Sequence, residues 1–302
     1  MKEIPVFPET KPLGLQDKPL LDHFFRLYPP VVSEYTFSNL FAWRHAYEFC
    51  LSRIDEALLV VSCQGGALSI FDPLMPSGPG KRRIALAAAR AAGGFKNVRF
   101  IRLPEDTALS LRQEKAFVLE EDADQFDYVY RAKDLVALQG AAYDGKRNFI
   151  RRFKDNYDYE FLSLRKENLK DCFYFEEEWC QAKDCQRAEG LEKERQAMHQ
   201  MLEHFEQLGI RGAMLRIQGK VEAVTLGEPL NPQTFVVHIE KANGRFTGIY
   251  QAINQMFCEQ AARDYQFINR EQDLGIAGLR KAKQSYHPAF LVKKYTATVT
   301  QR

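Results

Sequence analysis

Four consecutive pieces decide the fold: Gln233-Thr-Phe-Val-Val-His-Ile-Glu-Lys241, Ala242-Asn-Gly244-Arg-Phe-Thr-Gly248, the run from Ile249 to Arg263, and Tyr265-Gln-Phe-Ile-Asn-Arg270. In the first, Phe235, Val237 and Ile239 alternate with Val236, His238 and Glu240, the two-residue period of a strand. Ile249, Ile253, Met256 and Phe257 recur at helical spacing and predict a helix with one core face. Tyr265 to Arg270 reads as a second strand. Strand, turn, helix and strand in that order predict a right-handed crossover between parallel strands. The turn carries Gly244, Arg245 and Gly248, so backbone N–H groups and a helix N-terminus are expected to meet there, a geometry that suits an anion.

Past the second strand comes a polar run, Asn269, Arg270, Glu271, Gln272 and Asp273, then Gly275 and a basic helix ending near Tyr286. Polar side chains packed beyond a strand's C-terminal end are costly unless water, a partner or a ligand satisfies them. In α/β folds that is also where ligands bind. Single residues here also have plain structural readings, with Asp273 capping the helix and Glu271 pairing with a lysine.

Upstream, the same order of elements occurs earlier in the chain. Helices are expected at Leu20–Tyr28 and Thr36–Tyr47, and strands at Phe49–Ile54, Ala57–Cys63 and Ala67–Phe71. A breaker-rich loop, Pro73 to Gly80, precedes a helix to Ala92, and strands follow at Val98–Leu103, Ala116–Leu119 and Tyr128–Tyr130. The loop Pro76-Ser-Gly-Pro-Gly80 stands where the second half has its anion turn, but its prolines remove backbone donors. The first half is therefore expected to shape an acceptor site or an interface, not to hold a nucleotide. The second half supplies helices at Glu167–Cys180 and Leu191–Leu208, a hairpin of Gly212–Ile217 and Val221–Gly227, and a last strand from Ala289 to Val299.

The 302 residues fit two domains at ~150 residues each. The reading is a mixed-sheet α/β (α+β) protein with domains at 1–142 and 143–302, joined by a helix over 143–156. In that helix Phe149, Ile150 and Phe153 are expected in the core, and Arg147, Arg151 and Lys154 on the outer face with Lys146 and Arg152 nearby. Basic residues also follow Asp273, from Arg280 and Lys281 onward, with no later acid. A net charge of +2 implies no partner by itself, so any nucleic-acid contact must come from these local patches. Six scattered cysteines form no Cys-x-x-Cys pair, and no histidine pair has metal-ligand spacing, so no metal site is expected. No stretch approaches a signal peptide's apolar segment or the ~20 apolar residues of a membrane span, so a cytoplasmic protein without an integral membrane segment is expected.

Pro29-Pro-Val-Val-Ser-Glu-Tyr-Thr-Phe-Ser-Asn-Leu-Phe-Ala-Trp-Arg, Gly145-Lys-Arg-Asn-Phe-Ile-Arg-Arg-Phe, Phe235-Val-Val-His-Ile-Glu-Lys-Ala and Ile268-Asn-Arg-Glu-Gln-Asp-Leu-Gly carry a family likeness. They resemble a bacterial family grouped with the C-terminal domain of the lysyl-phosphatidylglycerol synthases, a tandem-GNAT fold related to the Fem-type aminoacyltransferases. The resemblance covers nearly the whole chain. It implies two GNAT-like acyltransferase domains and transfer of an aminoacyl group from aminoacyl-tRNA to an amine or hydroxyl acceptor, a small molecule or a lipid headgroup. No further cofactor is required; the acyl donor is aminoacyl-tRNA or acyl-CoA. The acyl-CoA loop of ordinary GNAT enzymes reads Gln/Arg-x-x-Gly-x-Gly/Ala, and Tyr250 in its last position argues against tight CoA binding. Two other readings stay open: a CoA-dependent N-acetyltransferase, and a non-catalytic ligand- or protein-binding member of the fold. Under the transfer reading, Glu240, Glu271 and Tyr286 are the catalytic candidates. His238, Asn269, Arg270, Asp273, Arg245, Gly248 and Lys281 are expected to bind substrate. Lys146, Arg147, Arg151 and Lys154 would meet tRNA phosphates.

Overall fold

The computed structural model describes residues 3–187 and 189–300. Among them the strands make two mixed sheets of seven. The first runs, in spatial order, Lys11–Pro12, Phe49–Ile54, Ala57–Gln64, Ala67–Phe71, Lys96–Leu103, Tyr295–Val299 and Phe117–Glu121. The second runs Phe290–Val292, Asp127–Arg131, Phe267–Asn269, Thr234–Ala242, Lys220–Asn231, Arg211–Ile217 and Tyr159–Ser163. Both contain the strand–helix–strand unit expected from the sequence. Ala67–Phe71 lies parallel to Lys96–Leu103 across the helix Pro79–Ala91, and Thr234–Ala242 lies parallel to Phe267–Asn269 across the helix Ile249–Phe257. A π-helical turn, Cys258–Ala262, continues the second of these helices.

The hairpins close as their turn residues dictate. Gly65 and Gly66, and again Gln218 and Gly219, have positive φ at both central positions, the requirement of the type I′ turn that matches strand twist. Ala57–Gln64 is buried along most of its length, so apolar residues fill both of its faces. In the other sheet, Ile249, Ala252 and Ile253 turn one helical face into a core with Leu215, Ala223 and Phe153, and Phe257 joins a second core with Phe235 and Ile268. One disulfide joins Cys180 to Cys185.

The chain forms two compact units that are not consecutive halves. One holds the described residues up to Asp127, Gln272–Ile276, and those from Leu291 onward; the other holds Tyr128–Glu271 and Ala277–Phe290. A single cut at 142/143 therefore does not separate these units. Strand pairing is the reason. Asp127–Arg131 forms an antiparallel ladder with Phe267–Asn269 in the second sheet. Tyr295–Val299 is hydrogen-bonded between Lys96–Leu103 and Phe117–Glu121 in the first.

Two local expectations are corrected. Phe149, placed in the core by helical periodicity, is 42% exposed, and the helix Asp144–Asn156 is anchored through Ile150 and Phe153. The single last strand is two strands, Phe290–Val292 and Tyr295–Val299, which belong to different sheets. The break falls at Lys294, whose side chain is fully buried. Its Nζ donates to Asp127 Oδ1 at 2.6 Å and to Glu34 Oε2 at 2.5 Å. The Ser33 amide and hydroxyl donate to the two Asp127 oxygens at 2.9 and 2.8 Å, and Arg102 Nε lies 2.7 Å from Glu34 Oε1. Burial works against the Glu34 charge, but Lys294 and then Arg102 outweigh it and hold the carboxyl below its ordinary range.

Lys294→Met removes the ammonium paired with the buried Asp127 carboxylate. Breaking such a pair is expected to cost ~3–5 kcal/mol, read as a lower urea midpoint. A midpoint equal to that of the native chain would show that the ion cluster does not hold the strand.

Candidate active site

The second sheet opens at its centre. Thr234, Phe235 and Val236 pair in parallel with Phe267, Ile268 and Asn269, and there the shorter strand ends while its neighbour continues to Ala242. Side chains beyond that point must bridge a widening gap. Two ionic bridges do so. Arg270 Nη2 donates to Glu240 Oε1 at 2.8 Å, and His238 Nδ1 stands 2.7 Å from Glu271 Oε1.

His238 has a second carboxylate on its other ring nitrogen, with Nε2 3.0 Å from Glu228 Oε1. A bulge makes this meeting possible. Leu226 pairs with Ile239 and Gly227 with Val237, so His238 is the extra residue of its strand. Bulges re-aim side chains in this way, often beside functional sites. Gly227 is required there, since a Cβ would stand 2.4 Å from the Val236 carbonyl oxygen. Burial alone would lower the His238 pKa, but the hydrogen bonds it donates to the Glu228 and Glu271 carboxylates outweigh that and raise it to about 10. The ring is therefore an imidazolium at neutral pH.

The loop that carries these groups is pinned by its own backbone. The Arg270 amide donates to the Tyr128 carbonyl at 3.0 Å, and its carbonyl accepts from Lys283 Nζ. Glu271 has φ of 58°, a left-handed conformation uncommon outside glycine. Its amide donates to Asn269 Oδ1 at 2.8 Å and its carbonyl accepts from the Tyr128 amide at 3.1 Å. Backbone held in such a sparsely populated region points toward function. Arg270 also lies over Tyr286, its guanidinium carbon 4.8 Å from the ring centre. Burial pushes the Tyr286 hydroxyl well above its ordinary range.

Glu240, Glu271, His238, Asn269, Arg270 and Tyr286 are thus brought together. Other expected residues are not. Arg245 Nη2 pairs with Glu222 Oε1 at 2.7 Å, and Asn243 Nδ2 donates to Glu222 Oε2 at 2.9 Å. A carboxylate therefore organises the turn expected to hold an anion. Gly248, at φ of 88°, is packed against the helix Asp144–Asn156: a Cβ there would stand 2.2 Å from the Phe149 carbonyl oxygen. Its freedom serves this close approach. Asp273 is buried and its Oδ1 accepts from the Gly275 amide at 2.9 Å, while Lys281 is exposed. Arg147 is bound to the Leu138 and Gly140 carbonyls and to Asp144, leaving Arg151 and Lys154 on the outer face. Lys146 turns toward Tyr286, its Nζ 4.1 Å from the ring centre.

Two residues of the cluster had escaped sequence reasoning. Asn254 Nδ2 donates to Glu240 Oε2 at 2.8 Å, and an amide among the apolar residues Ile253 and Phe257 was a usable signal. Glu228 precedes Pro229 and gave no signal. None of the cluster lines the open cavities of about 440 and 230 Å³, which lie around Met256 and Gln260 and around Tyr174 and Gly219. Among the described residues, no group of three or more His, Cys, Asp or Glu is arranged to hold a metal ion.

The profile of the family described as phosphatidylglycerol lysyltransferase, C-terminal, matches residues 25–298. The chain belongs to that family. A conserved protein of unknown function from Bacteroides thetaiotaomicron is 34% identical, with a TM-score of 0.89 over 96% of this chain and 99% of that one. L-PGS from Bacillus licheniformis is 15% identical, with a TM-score of 0.67 over 99% of this chain and 95% of that one. A tandem GNAT protein from the clavulanic acid biosynthesis pathway is 11% identical, with a TM-score of 0.50 over 97% and 99%. The fold is accordingly two GNAT-like domains in tandem. No curated protein matches the chain in sequence. No helix among the described residues is long and apolar enough to cross a membrane.

The His238 imidazolium has a consequence for stability. Its ordinary pKa is 6.5 and its folded value about 10, so its stabilisation is fully present below about pH 6.5 and lost as pH rises through about 10. The melting temperature of the native chain should fall across that window more steeply than that of His238→Gln. Parallel curves would show that the ring is not charged between its carboxylates.

Proposed function

We propose that the chain is an aminoacyltransferase that moves an aminoacyl group from aminoacyl-tRNA to an amine or hydroxyl acceptor. The reaction would take place where the strands Thr234–Ala242 and Phe267–Asn269 part. The observation that carries this reading is the pair of partly buried, partnered carboxylates, Glu240 and Glu271, at the open end of the parallel strands in a chain of this family. In the reaction the acceptor's lone pair attacks the ester carbonyl, a bond forms from carbon to the acceptor atom, and the bond to the tRNA ribose oxygen breaks. The acceptor's proton passes to that ribose oxygen.

Partners set the roles of the carboxylates. Glu240 is bound by Arg270 and Asn254, and Glu271 by the His238 imidazolium, so both are better suited to hold an ammonium group than to remove a proton. Catalysis would then come from orientation and from fixed charge around the reacting carbonyl. The Tyr286 hydroxyl, kept protonated by burial, is the candidate relay: it gives its proton to the departing ribose oxygen and regains one from the acceptor.

Transfer from a mixture of radiolabelled aminoacyl-tRNAs to small amines, alcohols and phospholipid headgroups tests the reading. Glu271→Gln and Glu240→Gln are each expected to lower kcat/KM by about 100-fold, the size of a lost charge-stabilising contact. Turnover unaffected by both would place the chemistry elsewhere.

Binding of tRNA adds a second test. Three to five phosphate contacts imply a slope of log K against log salt of roughly −2 to −4. Arg151→Glu with Lys154→Glu, both exposed on the helix Asp144–Asn156, should flatten that slope. The absence of RNA binding at low salt would leave acyl-CoA as the donor to be tried.

A further inference from the structure

The side chain of Lys146 gives the candidate site a feature that the transfer reading does not use. Its Nζ donates to Ser285 Oγ at 2.6 Å and lies 4.1 Å from the centre of the Tyr286 ring. Arg270 stands 4.8 Å from the same ring. Burial, and then the charge of Arg270, lower the Lys146 pKa. Two cations are thus gathered at one buried tyrosine, and among the described residues the only carboxylate bonded to either is Glu240, on Arg270. The hydroxyl of Ser285 carries no charge to offset that of Lys146.

Arg270 is also incompletely satisfied. Nη2 bonds to Glu240, but Nη1 is buried and has no hydrogen-bond partner. Buried polar groups are nearly always bonded, and a charged donor left without an acceptor is among the costliest exceptions. Lys146 and Ser285 are only half-buried, so this edge of the cluster meets solvent.

We propose that Lys146 and Arg270 form an oxyanion-binding subsite beside Tyr286, taking a carboxylate or phosphate group. The bound group would supply the acceptor that Arg270 Nη1 lacks and the counter-charge that Lys146 lacks. Charge-assisted bonds to such groups are short and strong. The subsite stands on side-chain geometry and holds whether or not the chain transfers an aminoacyl group.

Binding of inorganic phosphate and of acetate, each titrated by calorimetry at low ionic strength, tests the proposal without any reaction. The native chain is expected to bind at least one of them in the millimolar range. Lys146→Gln keeps a donor for Ser285 and loses the charge; its affinity should fall by about tenfold, the loss of ~1.4 kcal/mol. Lys115→Gln, exposed and outside every site described above, should bind like the native chain. Phosphate binding alone identifies a phosphoryl group as the natural occupant, and binding of acetate identifies a carboxylate. A second measurement uses only the native chain. Limiting acetic anhydride labels lysines, and the bound anion should protect Lys146 selectively by mass spectrometry. Failure of both anions to bind, equal binding by a folded Lys146→Gln, or labelling of Lys146 that the anion does not change would each overturn the subsite.

Discussion

Two parallel strands that share a ladder only through Val236 and Asn269 must then part, and the polar groups at the opening have to be satisfied without a ladder. The chain meets this constraint with charge. Arg270–Glu240 and His238–Glu271 span the opening, and buried ion pairs hold only where further hydrogen bonds complete them. Much of the second sheet is arranged to provide those bonds. The strand Lys220–Asn231 brings Glu228 to His238, and the helix Ile249–Phe257 brings Asn254 to Glu240. The strand Asp127–Arg131 brings the Tyr128 amide and carbonyl to Glu271 and Arg270, and Lys283 caps the Arg270 carbonyl. Removing one side chain therefore disturbs partners on several elements, which is the behaviour of a coupled network.

The same economy explains why sequence order and spatial order disagree. Asp127 begins the strand Asp127–Arg131 with a buried carboxylate, and Lys294, just before Tyr295–Val299, carries a buried ammonium; their pairing at 2.6 Å fixes where each strand starts. From Asp127 the chain enters the second sheet, and from Tyr295 it enters the first. Each sheet thus contains a strand distant in sequence from the others. That raises the loop-closure entropy that folding must overcome.

Local signals in the sequence were sufficient for most of the fold. Alternation in 235–240, the helical face of Ile249, Ile253 and Phe257, and the glycine hairpins all corresponded to observed elements, because each depends on neighbours a few residues away. Long-range pairing was hidden. Nothing in Ala289 to Val299 separates a strand of one sheet from a strand of the other, since both halves are short and β-branched or aromatic. The strand Tyr159–Ser163 and the helix Ala132–Ala137 were also unread, being short and without a clear period. At the site, the polar run after Asn269 announced itself by position. Glu228 did not, because a bulge three-dimensional in origin turns His238 toward it. Helical periodicity put Phe149 inside and gave no sign that Lys146 turns inward, since packing across to Tyr286 overrides the pattern of one helix.

Glu228 decides the electrostatic character of the opening. With Glu271 as its sole partner, His238 would form a neutral pair when protonated and would titrate closer to its ordinary range, because burial opposes the charge. The second carboxylate keeps the imidazolium charged through neutral pH and sets it between two carboxylates. Arg270 and Glu240 cancel, and Lys146 adds a positive charge on the side of Tyr286. Groups of opposite sign thus stand at the two ends of the opening, the Glu228 and Glu271 carboxylates about His238 and the Lys146 ammonium beside Tyr286. Since its histidine does not titrate near neutrality, that polarity is a fixed property of the fold and not one set by the pH of its surroundings. Under the proposed transfer reading, a substrate with an ammonium group and an oxyanion would be oriented before any bond is made, which is the form of catalysis that needs least from a general base.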